Sequence, residues 1–392
     1  MQRDSDLNVF SISDRQSIAF DLARIIATFA VFFQHATGDL ALYEGKISLL
    51  GRAVIPVFLV ISGYMTAIAA MRGGKFLKKS VRRYLKYYFV VVPAVVILFV
   101  CDVYLVSVNS PILESVKFEN EHTLYTFLRE LFQAVTFSGE YWRLTTHSQG
   151  LFGSTSFWTM DYILFYAVAT MALYMLSGVT RVLTLLAIAA ISGPTVLLLA
   201  PLWFCGVLAC EVHRRIDETI DRKPGLVPEG AAKAPPVRIQ QYAVAAFVIG
   251  LAWCTLVEWS GLGSDAYAYT KSLASYEWRQ HLGMSKRFLW QWLHLPGLFL
   301  MLIATGYLVG TAAAPVWRDR LRKAAFYTFP VYIVHFSFIY LAQSMMQDYR
   351  AGPEFADPYI MMTIAMGFTL LFSWATITFV QPVADRWIAR LF

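Results

Sequence analysis

Long apolar runs recur along this chain, divided by short charged or aromatic segments. A helix that crosses a bilayer needs about 20 mostly apolar residues. On that measure the runs predict ten spans, at residues 18–37, 53–71, 87–108, 157–177, 183–200, 202–212, 239–257, 290–311, 325–346 and 359–381. The sixth, LWFCGVLACEV, is too short to cross alone, so it either borrows polar flanks such as Glu211 and His213 or is a re-entrant piece. The prediction is an all-α, polytopic membrane bundle of about ten helices.

Composition agrees. With 392 residues, 57% hydrophobic and only 15% charged, the chain has too little polar surface to cover a soluble globule. The net charge of +7 does not point to nucleic acid, because the basic residues sit at helix ends, where membrane topology accounts for them. If the N-terminus is cytoplasmic, the inside segments carry more than twice as many Lys and Arg as the outside ones, and both termini are predicted inside. The first span is preceded by a polar stretch and lacks a small-residue cleavage site, which reads as a retained helix. Cys101, Cys205, Cys210 and Cys254 form no Cys-x-x-Cys pair, so neither a disulfide framework nor a zinc site is expected.

No internal repeat or low-complexity tail divides the chain, and one membrane domain is expected over 1–392. Residues 213–238 read as a cytoplasmic linker, rich in Pro, Gly and charge from 217 onward. Two extracytoplasmic segments, 109–155 and 258–289, are longer than a connection needs. In the first, Glu140, Tyr141, Trp142, Arg143 and His147 suit a carbohydrate, with aromatic faces for sugar rings and polar tips for hydroxyls. The same aromatics equally suit an interfacial belt.

Charges inside a span cost at least ~2.5 kcal/mol each at the bilayer centre and ask for a partner or a task. In the first span Asp21 and Arg24 are three residues apart and Arg24 and His35 eleven, nearly three turns, so all three share one helix face. Arg24 and His35 then stand about 16 Å apart along the axis. A local ion pair with an interfacial histidine is one reading, and a functional set is the other.

Further motifs bear on that choice. The first span reads Asp21-x-x-Arg24, ten residues, then His35; the second contains VFLVISGY, with Phe58, Ser62, Gly63 and Tyr64; KKSVRRYLKYY follows, with Lys79 and Arg82 three apart. The fourth span holds SFWTMDYILFYAV, and YTFPVYIVH, with Thr328, Phe329, Tyr332 and His335, lies near the C-terminus. In this order the set resembles the acyltransferase 3 family of membrane proteins, which move acyl groups onto glycans and other extracytoplasmic acceptors. The sequence departs from the family pattern at Lys79, at Leu85, where proline is common, and at Ile163, where the pattern has glutamate and Asp161 is the nearby acid.

The resemblance implies transfer of an acyl group, acetyl above all, from cytoplasmic acyl-CoA to a hydroxyl of an extracytoplasmic glycan or glycolipid. On that reading His35 is the base, Arg24 and Asp21 complete the catalytic set, and Lys79, Arg82, Arg83 and Arg24 hold the donor. His335, Tyr332, Trp158, Asp161, Ser62 and Trp142 support or bind the acceptor. Acetyl-CoA is a co-substrate with no tightly bound cofactor and no metal, and the family's habit points to a bacterial inner membrane. The alternatives are a glycan or lipid transporter that uses the buried charges as a pathway, or a nonenzymatic scaffold for a partner enzyme.

Overall fold

The computed structural model describes residues 14–39, 54–108, 124–141, 156–221, 237–273, 282–308, 317–348 and 358–391, and these residues contain helices and turns but no strand. The helices are α1 (Asp14–Asp39), α2 (Val54–Met71), α3 (Phe76–Ser107), α4 (Leu124–Thr136), α5 (Trp158–Met175), α6 (Gly178–Leu197) and α7 (Ala200–Asp221). They continue with α8 (Val237–Trp259), α9 (Leu262–Leu273), a 3-10 turn (Gly283–Arg287), α10 (Phe288–Trp292), α11 (Leu295–Leu308), α12 (Arg318–Asp348) and α13 (Pro358–Ala375). A π-turn (Thr376–Val380) leads into α14 (Gln381–Leu391).

Seven described helices are long and apolar enough to cross a bilayer, and the bent pair α10–α11, folded by 63°, makes an eighth. The predicted spans at 157–177 and 202–212 correspond to α5 and α7, which do not meet that measure. The reason is polarity that neighbouring protein absorbs. Nearly every side chain in the first four turns of α5 is buried, Asp161 included, and such a helix needs no lipid-facing apolar surface. The α7 helix runs past Glu211 and His213 to Asp221, because Arg214 pairs with Glu211 at 2.6 Å and Arg215 with Glu211 at 2.9 Å, one turn apart. Of the expected linker 213–238, residues 213–221 and 237–238 are helix, and 222–236 lies outside the described residues.

The segments 109–155 and 258–289 also differ from simple loops. Tyr84 donates its hydroxyl to the carbonyl of Val135 at the end of α4, and its ring meets Phe137 at 5.4 Å. Tyr84 lies about 35 Å along α3 from Ser107, at ~1.5 Å per residue, so the segment turns back down the bundle beside α3. Phe137, fully buried, makes the reversal with φ 51°, outside the region favoured by residues with a Cβ. The second segment likewise contains α9 and the 3-10 turn.

Packing centres on two helices: α2 lies against α1, α5, α7 and α11, while α12 lies against α1, α3 and α13. Glycine sets the closest approach. A Cβ on Gly63 would strike the backbone of Trp203, and one on Gly206 would strike the carbonyl of Val60, so α2 and α7 meet backbone to backbone. Gly250 and Gly297 do the same for α8 and α11, where a Cβ would stand 2.5 Å from the facing carbonyl oxygen. In α6, Gly193 takes φ 76° just before Pro194 and kinks the helix there. The kink turns the Thr195 and Val196 carbonyls to side-chain donors, Ser285 and Tyr166.

Candidate functional site

Helix α1 carries polar groups at two levels. At its first level Arg24 Nη1 is 3.7 Å from Asp21 Oδ1, the pairing that three-residue spacing predicts, and the Arg24 side chain is 28% exposed. From α12, Arg322 reaches the same carboxylate at 4.0 Å and donates to Ser17 at 3.0 Å. The start of α1 is held further by a buried polar network. Gln16 donates to the Tyr64 hydroxyl at 3.0 Å, that hydroxyl stands 2.5 Å from His213 Nδ1, and His213 Nε2 is 3.6 Å from Asp217. Tyr307 donates to Asp217 at 3.0 Å, which ties α1, α2, α7 and α11 together.

The cations expected to hold a donor separate into distinct environments. Arg83 turns inward, donating to Thr66 at 2.8 Å and to the Tyr87 hydroxyl at 3.3 Å, and its charge acts directly on Arg24. Lys79 donates to the Ala69 carbonyl at 2.9 Å and caps the end of α2. Arg82 is exposed on the outer face of α3. Two guanidiniums, Arg24 and Arg83, therefore share an interior region in which the Asp21 carboxylate answers Arg24, while Arg83 has neutral partners. Such an arrangement attracts an anion.

Eleven residues beyond Arg24, His35 stacks against Phe336 at 4.1 Å and faces His335 with ring centroids 5.5 Å apart. His335 is 1% exposed, and its Nδ1 lies 2.7 Å from the Tyr332 carbonyl oxygen. A carbonyl can only accept, so Nδ1 bears the proton and Nε2 presents a lone pair. That Nε2 is buried with no hydrogen-bond partner among the described residues. Tyr332 packs on Phe58 at 5.7 Å and turns its hydroxyl to Thr159, which joins α2, α5 and α12 around the histidine pair.

Both long segments contribute buried polar groups to the bundle. Asp161, 2% exposed, accepts the Glu140 amide on Oδ2 at 2.8 Å, and Glu140 itself is 4% exposed. The Tyr162 hydroxyl lies 3.5 Å from the Glu140 carboxylate and 2.9 Å from Ser285, which donates to the Thr195 carbonyl at 2.6 Å. Trp158 backs this group, its ring 4.9 Å from that of Tyr162. Asp161 thus anchors the 137–141 loop, while Ile163, where the family pattern has glutamate, packs against the apolar core. Ser62 contributes its carbonyl to Thr66 beside the glycine crossing. Trp142, Arg143 and His147 lie outside the described residues.

Sequence reasoning missed Ser285 and Thr66, because each gains its place through a partner distant in the chain. Among the described residues no cluster of three or more His, Cys, Asp or Glu side chains is arranged to hold a metal ion.

Comparison with known proteins gives one result. A family model described as an acyltransferase domain matches residues 17–378. No curated protein and no solved structure matches the chain. The matched stretch takes in Asp21, Arg24, His35, the α2 and α3 motifs, α5 and His335 in one continuous unit. This all-helical membrane chain belongs to the acyltransferase 3 family and is a membrane acyltransferase.

Proposed function

We propose that the protein transfers an acyl group, most simply acetyl, from acyl-CoA in the cytoplasm to a hydroxyl of a glycan or glycolipid on the opposite side of a bacterial inner membrane. Both termini then face the cytoplasm, and the whole chain works as one catalytic domain. The observation that carries this reading is the pairing of His35 with His335 on the helix that also bears Arg24 and Asp21. Base and cation stand about 16 Å apart along α1, a span that an extended pantetheine arm bridges.

On this reading acyl-CoA is a co-substrate whose phosphates lie near Arg83, Lys79 and Arg82, with the thioester reaching past Arg24. Asp21 orients Arg24. An imidazole takes the proton of the acceptor hydroxyl, the oxygen attacks the thioester carbonyl, the carbon–sulfur bond breaks, and the coenzyme thiol leaves with a proton. Tyr332, Trp158, Asp161, Ser62 and Trp142 support the acceptor side.

The test is transfer from radiolabelled acetyl-CoA by purified full-length protein, comparing wild type with His35→Ala. Loss of transfer with unchanged folding and acyl-CoA binding supports the assignment, whereas retained transfer removes His35 from the mechanism. A folded, monodisperse wild type that binds no acyl-CoA would count against the donor altogether.

A further inference from the structure

The 258–289 segment brings a cation to the outer end of the bundle with no acid among the described residues to answer it. Arg287 closes the 3-10 turn Gly283–Arg287, and that turn is fixed in place by Ser285, which bonds to Thr195 and Tyr162. The Arg287 guanidinium lies over the Tyr267 ring at 5.4 Å and over the Trp290 ring at 5.9 Å. Lys271 lies over the same Tyr267 ring at 4.5 Å.

The walls are held as firmly as the turn. Trp290 donates to Glu258 at 3.2 Å, and Gly263 of α9 leaves room for the indole, since a Cβ there would stand 2.5 Å from Trp290 Cδ1. Glu258 is already committed, because His294 Nε2 also stands 2.9 Å from the same oxygen. Among the described residues neither Arg287 nor Lys271 has a carboxylate within ion-pair distance. Aromatic stacking occupies the faces of a guanidinium and leaves its in-plane N–H edges free, the geometry that grips a carboxylate or phosphate by two parallel bonds. The Arg287 charge also reaches His35 electrostatically, so an anion held there would be close to the proposed base.

We propose that Arg287 is the anion-binding group of the acceptor site, with Tyr267 and Trp290 as its walls, and that the acceptor is an acidic glycan carrying a carboxylate or phosphate near the hydroxyl acylated. The inference rests on the acyl-transfer reading of His35 and adds the acceptor's charge to it.

The experiment uses full-length protein in phosphatidylcholine nanodiscs, titrated with methyl glucuronide, glucose 6-phosphate and methyl glucoside while tryptophan fluorescence and heat are followed. The wild type should bind at least one of the two anionic sugars about tenfold more tightly than the glucoside, the worth of one charge-assisted contact. Arg287→Gln should erase that preference and leave glucoside binding unchanged, Arg287→Lys should keep part of it, and Lys271→Gln most of it. Each variant's melting temperature is checked against the wild type, and Arg287→Lys decides the matter if Arg287→Gln fails to fold. Equal affinity for all three sugars, no sugar binding, or a preference that survives Arg287→Gln would overturn the proposal. So would binding of phosphatidylglycerol, added to a second set of nanodiscs, that Arg287→Gln abolishes in the absence of any sugar preference, which would assign the cation to a lipid headgroup. Acyl-CoA binding is titrated in the same samples. Its absence beside an intact anion preference would count against the acyl-transfer reading and not against Arg287.

Discussion

The two polar levels of the bundle are built on opposite plans. Around Arg24 and Arg83, cations sit on regular helices, half-exposed, and bond to groups on α2, α3 and α12. Around His35, the polar groups are more deeply buried, the contacts come from α12, and His335 Nε2 has no hydrogen-bond partner among the described residues. Buried polar atoms without partners are costly, about 1–3 kcal/mol each, and they mark where chemistry has a claim on the structure. On the proposed reading, the first level holds charge and the second moves a proton.

Substitutions can break that contrast, and the largest effect belongs to the histidines. His35→Ala should lower transfer at least about a hundredfold with acyl-CoA affinity intact, as read by a transfer assay beside a binding titration. Loss of both together would mean that the two levels are not separate. Next comes the seam between α2 and α7. Gly206→Ala should destabilise the protein by about 1–3 kcal/mol, the usual cost of overpacking, seen as a lower melting temperature in detergent, and an unchanged melt would show that the seam opens. At the level of charge, Arg83→Ala should weaken acyl-CoA binding about tenfold, and Arg82→Ala, on the outer face, clearly less. Equal effects would place the donor outside the bundle. The smallest change is expected from Tyr162→Phe, about 1 kcal/mol of stability from a lost hydrogen bond, measured by thermal unfolding with the acetyl-CoA affinity unmoved.

The sequence makes some of this plain and hides the rest for identifiable reasons. Apolar runs bounded by glycine or charge place α2 and α5 within a residue or two of the predicted spans, because lipid and a dry interior both demand such runs. Helical spacing alone is enough for the Asp21–Arg24 pair. The reach of α7 beyond residue 212 is concealed because its charges are neutralised sideways, one turn apart, and hydropathy counts them as a stop. The descent of 124–141 beside α3 is concealed because its anchors, Tyr84 to Val135 and Asp161 to Glu140, join residues distant in sequence. His335 was identifiable as a polar group in an apolar helix, but its facing His35 and its fixed tautomer depend on how α1 and α12 meet.

The glycine seam has a consequence for motion. Where two backbones touch with no side chain between them, there is nothing to repack and no room to slide, so α2 and α7 travel as a single bar. Any opening that admits substrate to the bundle has to find its moving parts elsewhere.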